Sequence, residues 1–178
     1  MKRLPLLAIL LLTITGCSTK NVGQYAGNRP QFDLLSYFQG TTKGWGIVQD
    51  RAGRLIRQFV VTIDGTIDST GNLTLFEQFQ WHDGKQSTRT WVIRSPSHNQ
   101  YEGTAGDVIG TAFGQAAGNA LSWKYVLLIE VDGSKWEVDM DDWMFLQPDD
   151  VLINRTQLSK FGFHLGDVTI AFMKPRKE

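Results

Sequence analysis

The sequence predicts an all-β protein: an antiparallel up-and-down barrel of about eight to nine strands, entered through a short N-terminal helical turn. Three observations predict it. Residues 120–131 place Leu121, Trp123, Tyr125, Leu127, Ile129 and Val131 on one face and Ser122, Lys124 and Glu130 on the other, the period of two that marks a half-buried strand. The dipeptides Asp64-Gly65, Asp83-Gly84 and Asp132-Gly133 are flanked by runs rich in β-branched and aromatic residues, the chemistry of hairpin turns. No segment carries a convincing amphipathic helical period. Successive hairpins of long strands suit a meander, and closing it into a barrel removes the exposed edges that long strands otherwise present.

In chain order, Met1-Lys2-Arg3 is a basic start, and residues 4–14 form an aliphatic run broken only by Pro5 and Thr13. That run fits the apolar core of a secretory signal and falls short of the ~20 residues that span a bilayer. Ile14-Thr15-Gly16-Cys17 resembles a lipobox, with Cys17, the chain's one cysteine, at the position that is acylated. The expected division is therefore residues 1–16 as signal peptide, 17–30 as lipidated tether and 31–178 as barrel domain. Cys17 would carry a diacylglyceryl thioether and an N-acyl chain such as palmitate, and several chains at about 0.8 kcal/mol per buried methylene anchor a protein stably to a membrane. Ser18 after the cysteine points to the periplasmic face of an outer membrane. Phe32, Leu34, Leu35, Tyr37 and Phe38 suit a helical turn plugging one end of a core. Strands are expected at residues 44–51, 55–67, 72–82, 86–95, 98–104, 120–131, 135–146, 151–158 and 165–173. Between the fifth and sixth of these lies a glycine-rich stretch, 103–119, in which Gly106, Gly110, Gly114 and Gly118 recur every fourth residue. Either a loop or a short helix over the barrel mouth accounts for it, and either would act as a lid.

The 178 residues carry 18 Lys and Arg against 18 Asp and Glu, and no basic run. A nucleic-acid partner is therefore not expected. A single cysteine excludes an internal disulfide and a Cys-rich zinc site. His82, His98 and His164 are far apart and lack ligand spacing, so no metal and no cofactor is expected. There is no nucleophile elbow, phosphate loop or dinucleotide fingerprint.

Two resemblances add to this reading. The helical turn followed by Gly44-Trp45-Gly46 is similar to the opening of a lipocalin or calycin barrel, which implies that Trp45 closes the barrel floor. The segments Gly114–Tyr125, Trp136–Met144 and Asn154–Gly162 resemble the DUF3833 family of bacterial lipoproteins, and that resemblance implies a lipid-related role.

Candidate chemistry is sparse. Asp139, Asp141 and Asp142 form the densest polar cluster, with Asp139 and Asp141 on one strand face and Asp142 on the other, beside Val138 and Met140. Asp139 and Asp141 could serve as an acid/base pair or a hard-cation site, or be no more than a solvated face. If Asp142 points inward it needs a partner, and Arg155 on the next strand is the expected one. Six tryptophans and ten phenylalanines either fill the core or line an apolar cavity, for which the candidates are Phe59, Val61, Leu75, Phe79, Trp91, Trp123, Tyr125 and Leu127. The leading expectation is an outer-membrane lipoprotein that binds or presents a fatty-acyl or lipid ligand. The alternatives are an enzyme acting on modified lipids through Asp139, Asp141 or Asp142, and a structural lipoprotein with a filled core.

Overall fold

The computed structural model describes residues 20–131 and 133–175, so the signal-like segment and Cys17 lie outside the described residues. Ten strands run in chain order: β1 (Gly40–Asp50), β2 (Leu55–Ile67), β3 (Leu73–Trp81), β4 (Gln86–Ser97), β5 (Gln100–Ala105), β6 (Val108–Ala117), β7 (Ala120–Val131), β8 (Ser134–Leu146), β9 (Leu152–Lys160) and β10 (Phe163–Met173). Each pairs antiparallel with its sequence neighbour, and β1 pairs with β10, so the sheet closes on itself. The protein is an all-β up-and-down barrel with a short helical turn, α1 (Leu34–Phe38), ahead of β1.

The strand not expected from the sequence is β6. Residues 103–119 form neither a loop nor a helix; they are the end of β5, a two-residue turn and β6. Two of their glycines serve packing across strands. A Cβ on Gly103 would stand 2.7 Å from the Trp123 indole, and one on Gly114 would overlap the same ring, so their absence lets Trp123 lie against the inner wall. Gly106 lies in the β5–β6 turn, Gly110 takes a positive φ at a break in the β6–β7 register, and Gly118 turns β6 into β7. The lid expected of Gly106, Gly110, Gly114 and Gly118 thus has no loop or helix behind it. Asp64-Gly65 is not a turn either: both residues are inside β2, and the chain reverses at Asp68–Gly71, where the Asp68 carboxylate accepts from the backbone N–H groups of Thr70 and Asn72 at 2.8 and 2.9 Å.

One end of the barrel is closed by α1. Asp33 caps it, accepting from the Ser36 N–H at 2.8 Å and from the Tyr101 hydroxyl at 2.9 Å, which ties the helix to β5. Phe32, Leu34, Tyr37 and Phe38 are buried there, Phe38 edge-on to Phe172 of β10. Trp45 does not form this floor. It points outward and is half-exposed, under the Lys43 ammonium. Alternation settles its direction, because the inward positions beside it are Gly44 and Gly46, which leave room for the rings of Phe172 and Phe59.

Residues 20–30, expected to belong to a tether, lie along the outer wall. Val22–Tyr25 form a 3₁₀ turn, in which Val22 packs with Ala120 and Trp143, and Tyr25 meets Trp143 and Phe145 edge-on. The outward faces of β7 and β8 are apolar at this end and need cover, which the N-terminal segment supplies. At the opposite, open end the hairpin tips carry exposed apolar side chains: Leu55 and Ile56 on β2, and Phe161 and Phe163 around the β9–β10 turn.

Candidate functional site

Inward residues of eight strands, all but β5 and β6, line a cavity of about 490 Å³ inside the barrel, within the usual size of small-molecule sites. All eight residues singled out as apolar lining, Phe59, Val61, Leu75, Phe79, Trp91, Trp123, Tyr125 and Leu127, face it. Toward α1 the wall is Ile63, Leu75, Trp91 and Ile93, closed by Leu34 and Phe38. Toward the mouth it is Phe59, Phe79 and Trp81, packed as one aromatic group with centroids 5.0 to 6.0 Å apart. The Arg57 guanidinium lies 3.7 Å over the Trp81 ring and pairs with Asp83.

Set into this apolar wall is a group of polar residues: Glu77 on β3, Arg89 on β4, Asp107 in the β5–β6 turn, Tyr125 on β7, Asp142 on β8, and Asn154 and Thr156 on β9. Glu77 and Arg89 face each other in the β3–β4 register, 3.8 Å apart. The Arg89 guanidinium binds Asp107 more closely, at 2.8 and 2.9 Å. Asn154 accepts from the Thr156 hydroxyl at 3.2 Å.

Asp142 is inside the barrel, as its alternation with Val138 and Met140 requires, but Arg155 is not its partner. Across β8–β9 Asp142 stands opposite Thr156, and Arg155 stands opposite Trp143 on the outer face. The Arg155 side chain is 71% exposed and reaches Asp167 at 3.6 Å. Burial pushes the Asp142 carboxyl up to about 6, a rise partly offset by the Thr156 and Tyr125 hydroxyls and by Arg89. Burial likewise raises Glu77 to about 7, against the pull of Arg89 and with the charges of Asp107 and Asp142 adding to the rise. Tyr125 is raised well above the usual phenol range by burial and by Asp142, so its hydroxyl remains a donor. Four buried polar atoms in this group have no hydrogen-bond partner: Glu77 Oε2, Asp107 Oδ1, Asp142 Oδ1 and Asn154 Nδ2.

Asp139 and Asp141 do not join the site. They face outward, Asp141 lying 3.7 Å from Lys124. His82 and His164 are near the open end and His98 in the β4–β5 turn; among the described residues no three His, Cys, Asp or Glu side chains gather as metal ligands. Glu77, Arg89, Asp107, Asn154 and Thr156 are the site residues not read from the sequence. A signal for the first two existed: each occupies the inward phase of its strand, between Leu75 and Phe79 and beside Trp91.

Fold and site together define a closed β-barrel with an internal, mostly apolar cavity and a buried carboxylate-rich polar group. The chain belongs to the DUF3833 family, described as a protein of unknown function, whose model matches residues 11–174. No curated protein matches it.

Proposed function

We propose that this protein is an outer-membrane lipoprotein, anchored through acylated Cys17 on the periplasmic face, whose lipocalin-like barrel binds a fatty-acyl or lipid molecule. One observation carries the ligand reading: a cavity of about 490 Å³ remains inside a barrel whose floor is plugged and whose open end is rimmed by exposed apolar tips. An acyl chain burying about 300 Å² at roughly 25 cal/mol per Å² gains ~7.5 kcal/mol before the costs of association. The apolar tips give such a ligand a path from a lipid surface. The exported location rests on the basic start, the apolar run and the lipobox-like Ile14–Cys17.

Mass spectrometry of the protein taken from outer-membrane fractions tests both parts at once. The denatured mass is expected to lack residues 1–16 and to carry acyl groups on Cys17. The native mass is expected to exceed it by one non-covalent lipid. A full-length denatured mass overturns the anchor, and native and denatured masses that agree even after incubation with lipid extract overturn the ligand.

A second reading draws on Asp142, a carboxyl raised toward neutrality inside a cavity, which is where general acids are found. In that case the bound lipid is modified rather than carried, and Asp142, not Asp139 or Asp141, is the acid.

A further inference from the structure

The polar group inside the barrel is unbalanced in charge and in hydrogen bonding. Three carboxyl groups, Glu77, Asp107 and Asp142, face one cation, Arg89, whose guanidinium is already engaged by Asp107. Asp142 is 6% exposed and lines the cavity, yet its Oδ1 has no partner; Asn154, 3% exposed, has an unpartnered Nδ2. With Glu77 Oε2 and Asp107 Oδ1, the unmet capacity is three acceptors against one donor. Buried polar atoms left unpaired are costly, so the site is complementary to a ligand that brings donors.

Ligand head groups differ sharply on that count. A carboxylate or phosphate adds an anion to the carboxyls and brings no donor. A hydroxyl brings one donor and no charge. A protonated amine brings two or three donors and a positive charge, and Trp91 and Tyr125, edge-on at 5.4 Å, add aromatic surface beside it.

We infer that the cavity takes long-chain amines, with the tail among the apolar wall residues and the ammonium at Asp142 and Glu77; this rests on the ligand-binding reading above. The groups that face the ammonium are Glu77 from β3, Arg89 from β4, Asp107 from the β5–β6 turn, Tyr125 from β7 and Asp142 from β8; β9 offers only the neutral Asn154 and Thr156, and the Arg57 guanidinium of β2, which also lines the cavity, is paired with Asp83.

The test titrates the full-length chain carrying Cys17→Ser with dodecylamine, dodecanol and dodecanoate, following the tryptophan emission, to which Trp81, Trp91 and Trp123 contribute from the cavity wall. At pH 8 dodecylamine is expected to bind at least tenfold more tightly than the other two. Its advantage over dodecanol should shrink several-fold at pH 5, where Asp142 and Glu77 take up protons while the amine stays charged. Asp142→Asn should cost dodecylamine most of its advantage over dodecanol, and Glu77→Gln should act in the same direction. A circular dichroism spectrum and a cooperative melting curve of the wild-type form certify the fold of each variant. Dodecanoate binding as tightly as dodecylamine, or an amine preference that survives both substitutions, overturns the inference and leaves the ligand-binding reading standing. If none of the three binds, that reading falls and the inference with it.

Discussion

Replacing Asp142 by asparagine stabilises the ligand-free protein at pH 8, and by less as the pH falls. Asn keeps the shape and the neighbours of the side chain but removes the charge that burial disfavours. The carboxyl is raised from 3.8 to about 6 in the folded chain, so between those values the native state holds more protons than the unfolded one. Stability is therefore lost as pH rises through this window, and the loss is complete above it. At ~1.4 kcal/mol per unit, the cost is on the order of 3 kcal/mol at pH 8 and about half that at pH 5. For a chain of this length that corresponds to a gain of roughly 6–12 °C in melting temperature at pH 8. Glu77→Gln should behave alike, because Glu77 is raised from 4.5 to about 7. The two gains should not add, because each carboxylate raises the other's cost. Melting curves of the wild type and both variants at pH 8 and pH 5 decide the matter. Variants that melt at or below the wild type at pH 8 would show that the buried carboxylates are compensated. Stabilisation by removal of a buried charge is itself a mark of a site kept for binding or catalysis rather than for folding.

Gly65→Ala is expected to be among the most damaging single substitutions, costing on the order of 3–5 kcal/mol. Gly65 lies near the end of β2, opposite Gly40 and Leu75, and a methyl group there would overlap the backbone carbonyl of Phe38. A side chain could rotate away, but a helix carbonyl moves only if α1 moves. Lifting α1 unseats Leu34, Tyr37 and Phe38, all buried, and opens the floor of the cavity. Gly53→Ala is the control. Gly53, unlike Gly65, has a positive φ, but a Cβ there would meet nothing within 4 Å, so its cost should stay near 1 kcal/mol. Urea denaturation at pH 7 separates the two, and a G65A chain as stable as G53A would mean that α1 does not plug the barrel.

The fold was legible where side chains alternate and obscure where they are small. β7 declares itself because Trp123, Tyr125 and Leu127 are large and regularly spaced, and the eight apolar cavity residues follow from the same parity on β2, β3, β4 and β7. β6 is hidden because its buried positions are Ala112 and Ala116 and its neighbours are glycines. Its pattern carries little hydrophobic contrast, and Gly114 is explained only by the Trp123 ring that crosses it. Asp64-Gly65 has turn chemistry but sits in a strand because the helix carbonyl needs the missing Cβ. The inward direction of Asp142 could be read from parity, while its neighbour could not. The β8–β9 connection through Pro148–Asp150 fixes the register, and a one-residue difference exchanges Arg155 for Thr156. The polar group went unread for a related reason: Glu77 and Arg89 look like breaks in the alternation of two strands until the strands are paired.

Crystals of the protein grown with 12-bromododecylamine test most directly whether the barrel interior holds a long-chain amphiphile with its polar end at Asp142, since the bromine marks the tail by anomalous scattering. One bromine peak is expected inside the barrel, against the apolar wall, with an amine nitrogen within hydrogen-bond distance of the Asp142 carboxylate. Bromine found only on the outer wall, or side chains filling the interior so that no tail fits, would contradict it.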